Sequence, residues 1–219
     1  MNDSTPQMRR TQVGILIFED VEVLDFCGPF EVFSITTSEG QAGDDAQLYE
    51  VHVIAETGDI VRCRNGLRVQ PHYSIDQHPD LDIVVVPGGR GTRRELSNPH
   101  VLAWIKAQSE HVALMTSVCT GSFLLATNGM LDGKSATTHW ASIDWLRETF
   151  PSITVRDDQR YVDEGRIITS AGVSAGIDMA LHVVGRMHGP AVARQSARHM
   201  EYDGWTWPGT KSLREPSHD

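Results

Sequence analysis

A chain of 219 residues, 40% hydrophobic and 22% charged, holds enough apolar material for one compact core and is ordinary for a globular protein. Its net charge of -10, with no basic run, argues against a nucleic-acid partner, and no apolar run approaches the ~20 residues that span a bilayer. Three widely spaced cysteines (Cys27, Cys63, Cys119) argue against a disulfide framework, and the polar stretch 1–10 lacks a signal peptide's apolar segment, so a cytoplasmic protein is expected.

In chain order, the apolar run 13–18 predicts a first buried strand. Residues 21–24 read as an apolar connection into Asp25-Phe-Cys-Gly-Pro29, with Pro29 opening a short helix. Residues 38–47, rich in Gly and acids, predict a surface loop, and 49–54 alternate as a second strand. The Asn-Gly pair in Arg64-Asn-Gly-Leu67 predicts a small β-hairpin at about residues 60–70. A third buried strand, 81–86, ends in Pro87-Gly-Gly-Arg-Gly91, and Asn98-Pro99 opens a helix to about Ser109. The run 112–118 predicts another buried strand, and Ser122-Phe-Leu-Leu-Ala126 the first turns of a helix. Residues 140–150 show helical spacing, and short strands are expected near 155, 161–162 and 166–168. The small residues 169–176 precede helices at 177 to about 187 and 190 to about 202. Strands alternating with helices predict an α/β fold: a single domain with a mostly parallel sheet sandwiched by helices. The domain is expected over residues 12–203, with 1–11 and 204–219 as terminal extensions and Trp205 and Trp207 in the tail.

In such sheets the site lies at the carboxyl ends of strands. Cys119 falls on one such corner, with small Thr120, Gly121 and Ser122 allowing a sharp turn: the logic of a nucleophile elbow. A thiol at a helix N-terminus faces unpaired N–H groups, which favours the thiolate. The Gly88-Gly89 turn and Thr120 would supply backbone donors for developing negative charge. Asp25 is either a buried acid near the thiol or a helix cap before Pro29. Gly172 and Val173 sit at a fourth strand end. The scattered histidines contain no His-Glu-x-x-His, and no Cys-x-x-Cys occurs, so no metal is expected. Gly-Gly-Arg-Gly matches no nucleotide-binding pattern.

Five segments carry a resemblance: Leu24-Asp-Phe-Cys-Gly-Pro29, Val86-Pro-Gly-Gly89, Ser117-Val-Cys-Thr-Gly-Ser122, Ala136-Thr-Thr-His-Trp140 and Thr169-Ser-Ala-Gly-Val-Ser-Ala-Gly-Ile-Asp178. On them the chain resembles the ThiJ/PfpI superfamily, whose flavodoxin-like fold is shared with class I glutamine amidotransferases. The branch it is most similar to holds isocyanide hydratases and the sensor domains of AraC-type regulators. The resemblance implies Cys119 as nucleophile, Thr120 beside it and Asp25 as acid. It implies attack on the terminal carbon of R–NC, a thioimidate, and release of an N-formamide, a lyase reaction without metal or organic cofactor. It also implies a homodimer with the sites near the interface.

Two departures temper this. Cys27 stands where the hydratases have Thr; it is either a core filler or a redox partner for an oxidisable thiol. The stretch from Ala136 to Val173 looks closer to the regulator sensors, although the residues after His188 are too few for their tandem helix-turn-helix domain. A stand-alone ligand or redox sensor is therefore the alternative. An amidase, peptidase or deglycase is a second one, against which the protease branch's His after the nucleophile is Thr120 here. His139 is read as a pocket residue that either approaches the thiol or orders the pocket or dimer contact.

Overall fold

The computed structural model describes residues 9–202. The strands are β1 (Thr11–Leu16), β2 (Tyr49–Ala55), β3 (Val61–Arg62), β4 (Arg68–Val69), β5 (Tyr73–Ser74), β6 (Ile83–Val86), β7 (Leu114–Val118), β8 (Ser135–Ala136), β9 (Thr154–Val155), β10 (Tyr161–Asp163) and β11 (Ile167–Ser170). The helices are α1 (Val23–Ile35), α2 (Thr92–Glu95), α3 (Pro99–His111), α4 (Gly121–Thr127), α5 (Ile143–Thr149), α6 (Ala175–His188) and α7 (Pro190–His199). A seven-stranded sheet runs in the order β10-β11-β7-β6-β1-β2-β5, parallel throughout except for β10 at one edge. The expected α/β domain with a mostly parallel sheet is what the chain forms. The hairpin is present too: β3 and β4 are antiparallel, and Asn65 and Gly66 turn between them at φ 63° and 93°.

β6 is Ile-Val-Val-Val, buried at every position, because a central parallel strand has both faces covered by helices. α1, α6 and α7 pack together, while α2 and α3 both pack on α4. After β1 the chain builds outward to β2 and β5, then returns to place β6 on the other side of β1. Connections leaving the carboxyl ends of β1 and β6 therefore diverge, and a crevice opens between them. α1 begins on one side of it, and the 87–91 turn lies on the other.

Three local expectations need correction. The helix after β1 starts at Val23, six residues before Pro29, which sits inside it. Burying Asp25 and Phe26 requires that turn to be helical, and Pro29 removes just one bond, to the Asp25 carbonyl. Glu22, not Asp25, occupies the N-cap, so Asp25 is no cap. The short β5 and α2 carry no periodic signal and were not foreseen. Trp205 and Trp207 lie outside the described residues. No helix among the described residues is long and apolar enough to cross a membrane.

The β7–α4 corner is packed against the end of β6. A Cβ on Gly121 would stand 2.0 Å from the Val86 carbonyl oxygen and 2.8 Å from that of Pro87. Backbone cannot yield as a side chain does, so Gly121→Ala is expected to cost about 3 kcal/mol, read as a lowered urea midpoint at unchanged slope.

Candidate active site

Cys119 follows β7 with φ 57°, a left-handed conformation that costs a residue with a Cβ about 1–2 kcal/mol. Neighbours impose it. The Cys119 N–H donates to the carbonyls of Ser170 and Ala171, each at 3.2 Å. Its own carbonyl accepts the hydroxyls of Thr138 at 2.8 Å and Ser122 at 3.2 Å. With both backbone groups tied, the strained corner is over-determined.

Asp25 comes to the same place from the first turn of α1 and is completely buried. Its Oδ2 accepts the Gly88 N–H at 3.0 Å and its Oδ1 the Val173 N–H at 3.1 Å. Val173 itself sits at φ 56°, turned so that its N–H points at the acid. The Cys119 thiol is a further hydrogen-bonding neighbour of the carboxyl. Burial pushes Asp25 up from 3.8 to about 7, against the opposing pull of the Gly88, Cys119 and Val173 hydrogen bonds.

The thiol does not behave as its position at a helix start suggested. Burial, followed by the charge of Asp25, pushes Cys119 well above the ordinary thiol range, and the N–H and hydroxyl of Thr120 oppose this without overcoming it. With seven residues α4 offers little dipole, and Cys119 is only 6% exposed. Acid and thiol thus form a coupled pair that holds its protons tightly.

The glycine turn is also used differently from expectation. The Gly88 N–H is committed to Asp25, and the Gly89 N–H donates to the Thr120 hydroxyl at 3.0 Å. Neither is a free donor for an oxyanion. Gly88 is required for approach: a Cβ there would stand 2.4 Å from the Thr120 nitrogen and 3.0 Å from the Cys119 Cβ.

His139 reaches the rim. Its Cδ2 would stand 2.2 Å from a Cβ on Gly172, and its Nδ1 accepts the Ala141 N–H at 3.2 Å. Beside it an open cleft of ≈ 490 Å³ is lined by His139, Trp140, Arg160, Gly172 and Val173, with Trp140 80% exposed. Cys27 is half-buried, and the thiol within its electrostatic reach is Cys63. Of the residues expected at the site, Cys119, Asp25, Thr120, Gly88, Gly89, Gly172, Val173 and His139 gather in one neighbourhood.

The family model described as DJ-1/PfpI family matches residues 11–186. The chain belongs to the DJ-1/PfpI family. It is 35% identical over 191 residues to an isonitrile hydratase of Pseudomonas putida, covering 87% of this chain and 78% of that protein. It is 31% identical over 185 residues to the HTH-type transcriptional regulator GbdR of Pseudomonas aeruginosa, covering 84% of this chain but 49% of the regulator. It therefore spans about half of that relative. Among solved structures, a THiJ/PfpI family protein from Pseudomonas syringae superposes with TM-score 0.79 at 29% identity, over 95% of this chain and 81% of the other. DJ-1beta of Drosophila melanogaster gives 0.76 at 20% identity over 91% and 100%, a likeness of fold.

Two threonines that hold this DJ-1/PfpI site together escaped sequence reading. Thr138 buttresses the Cys119 carbonyl, and the Thr92 hydroxyl lies 2.9 Å from that of Thr120. Thr138 lies inside the segment Ala136-Thr-Thr-His-Trp140 that carries the resemblance, so the sequence holds a signal for it. Thr92 had none, because its helix α2 is four residues long.

Proposed function

We propose that the protein is a cysteine-dependent hydratase of small neutral electrophiles, with isocyanides as the substrate class. The observation that supports this most is the buried Asp25–Cys119 pair, an acid poised near neutrality in hydrogen-bonding reach of a strained-corner thiol. Asp25 takes the thiol proton as sulfur bonds to the terminal carbon of R–NC, then delivers it to that carbon, giving the thioimidate R–N=CH–S. Water adds to the same carbon, the C–S bond breaks, sulfur recovers a proton, and R–NH–CHO leaves. The balance is R–NC plus water to the N-formamide. The N–H and hydroxyl of Thr120 favour the ionised sulfur, and the cleft lined by Trp140, Gly172 and Val173 would take the R group. The test is incubation with para-nitrophenyl isocyanide while following formamide formation; turnover by the parent, absent from Cys119→Ala, is expected.

One observation favours a second reading. A sulfur 6% exposed and held neutral also suits a stand-alone ligand sensor, since a thiol so protected is a poor nucleophile, and it speaks against the redox form of that reading. Saturable isocyanide binding without any formamide, across several R groups, would select it over the hydratase.

A further inference from the structure

We infer that a second small-molecule site lies at the opposite end of the sheet from Cys119 and takes a monoanionic amphiphile, a ligand with an apolar body and one carboxylate-like head. A cavity of ≈ 380 Å³ opens there, within the size range of small-ligand sites. Its position follows from register. Met115 pairs with Ile167 at the N-terminal ends of β7 and β11, about 13 Å along the strand from Cys119. The floor is apolar: Val112 and Met115 are each 2% exposed, with Met130 and Ile167 beside them. Two methionines give it an adaptable, polarisable surface suited to an alkyl chain.

The rim sets the charge. Lys134 and Arg166 line the cavity together with a single carboxylate, Glu164. Arg166 is anchored by its Nη2, which donates to the carbonyls of Ser109 at 3.2 Å and Val112 at 2.8 Å. Those neutral acceptors fix the guanidinium without cancelling its charge. Glu164 is partly spent, its Oε1 accepting the Ser135 N–H at 3.0 Å. The Lys134 ammonium makes no hydrogen bond or ion pair among the described residues, although its backbone is tied on both sides, to Leu131 and Thr154. One positive charge in excess, presented from a fixed backbone over an apolar floor, is complementary to an anionic head on an apolar body.

The site does not rest on the chemistry proposed for Cys119. Octanoate is the probe, titrated into the full chain carrying 13C-methyl methionine, with the Met115 and Met130 signals assigned through their Leu variants. Both signals are expected to shift saturably, in the parent and equally in Cys119→Ala. Lys134→Glu should weaken binding about tenfold, and Lys134→Gln by less, with unfolding midpoints confirming that both remain folded. Octylamine should produce no saturable shift. The proposal is overturned if octanoate leaves both methyls unmoved, if octylamine binds as well, or if Lys134→Glu binds octanoate as tightly as the parent.

Discussion

A Cys119→Ala variant is expected to lose isocyanide hydration on the order of 10³-fold or more, because it removes the sulfur that the proposed mechanism bonds to carbon. Cys119→Gly should be as inactive, yet about 1 kcal/mol more stable than the alanine variant. Alanine keeps the Cβ that φ 57° disfavours, and glycine does not. Steady-state turnover and urea unfolding of the two variants together check this. Equal stability of the two would mean that the corner holds no strain.

The second large effect concerns Asp25 and runs in opposite directions for activity and stability. The folded chain holds the Asp25 proton up to about pH 7, against 3.8 for an ordinary aspartate. A group whose folded pKa is raised stabilises fully below its unfolded pKa, and that stability is lost as pH rises through the folded one. At about 1.36 kcal/mol per pH unit, the interval corresponds to about 4 kcal/mol. The proposed hydration would need the pair with a single proton, so kcat/KM is expected to rise with pH through about 7 while this contribution to stability falls. In Asp25→Asn, kcat/KM should fall about 10²-fold or more and lose the limb near pH 7. The parent's loss of unfolding free energy between about pH 5 and pH 8 should exceed the variant's by about 3 kcal/mol. Parallel pH dependences of stability in the two proteins would show that Asp25 ionises without penalty.

How legible these features were depends on how local their causes are. The Cys119 corner could be read because an apolar run, a thiol and three small residues are adjacent in sequence. The Asn65-Gly66 hairpin was local in the same way. The start of α1 was not, since residues 21–26 mix four apolar residues with Glu22 and Asp25 in a pattern that suits a connection as well as a helix, and burial against the sheet decides between them. The charge state of Cys119 lay further out of reach. Its helix-start position favours the thiolate, but desolvation by long-range packing and the approach of Asp25 outweigh that pull. Likewise, Gly88 and Gly89 were recognisable as a close-approach turn, whereas the commitment of their N–H groups to Asp25 and Thr120 depends on partners 63 and 31 residues away. Cys27 reads from sequence as a core filler or a redox partner; it is half-buried, and its influence on Cys63 depends on a neighbour that local sequence does not reveal.

In the proposed hydration the sulfur of Cys119 bonds to the substrate carbon during turnover. Rapid acid quench of the protein mixed with para-nitrophenyl isocyanide, followed by intact-mass and peptide mass spectrometry, tests it most directly. The expected result is a transient species heavier by one whole isocyanide, since the thiol proton is retained on the adduct, located on Cys119 and absent from Cys119→Ala. Formamide production by a parent protein that never carries such an adduct, or carries it on another residue, would contradict it.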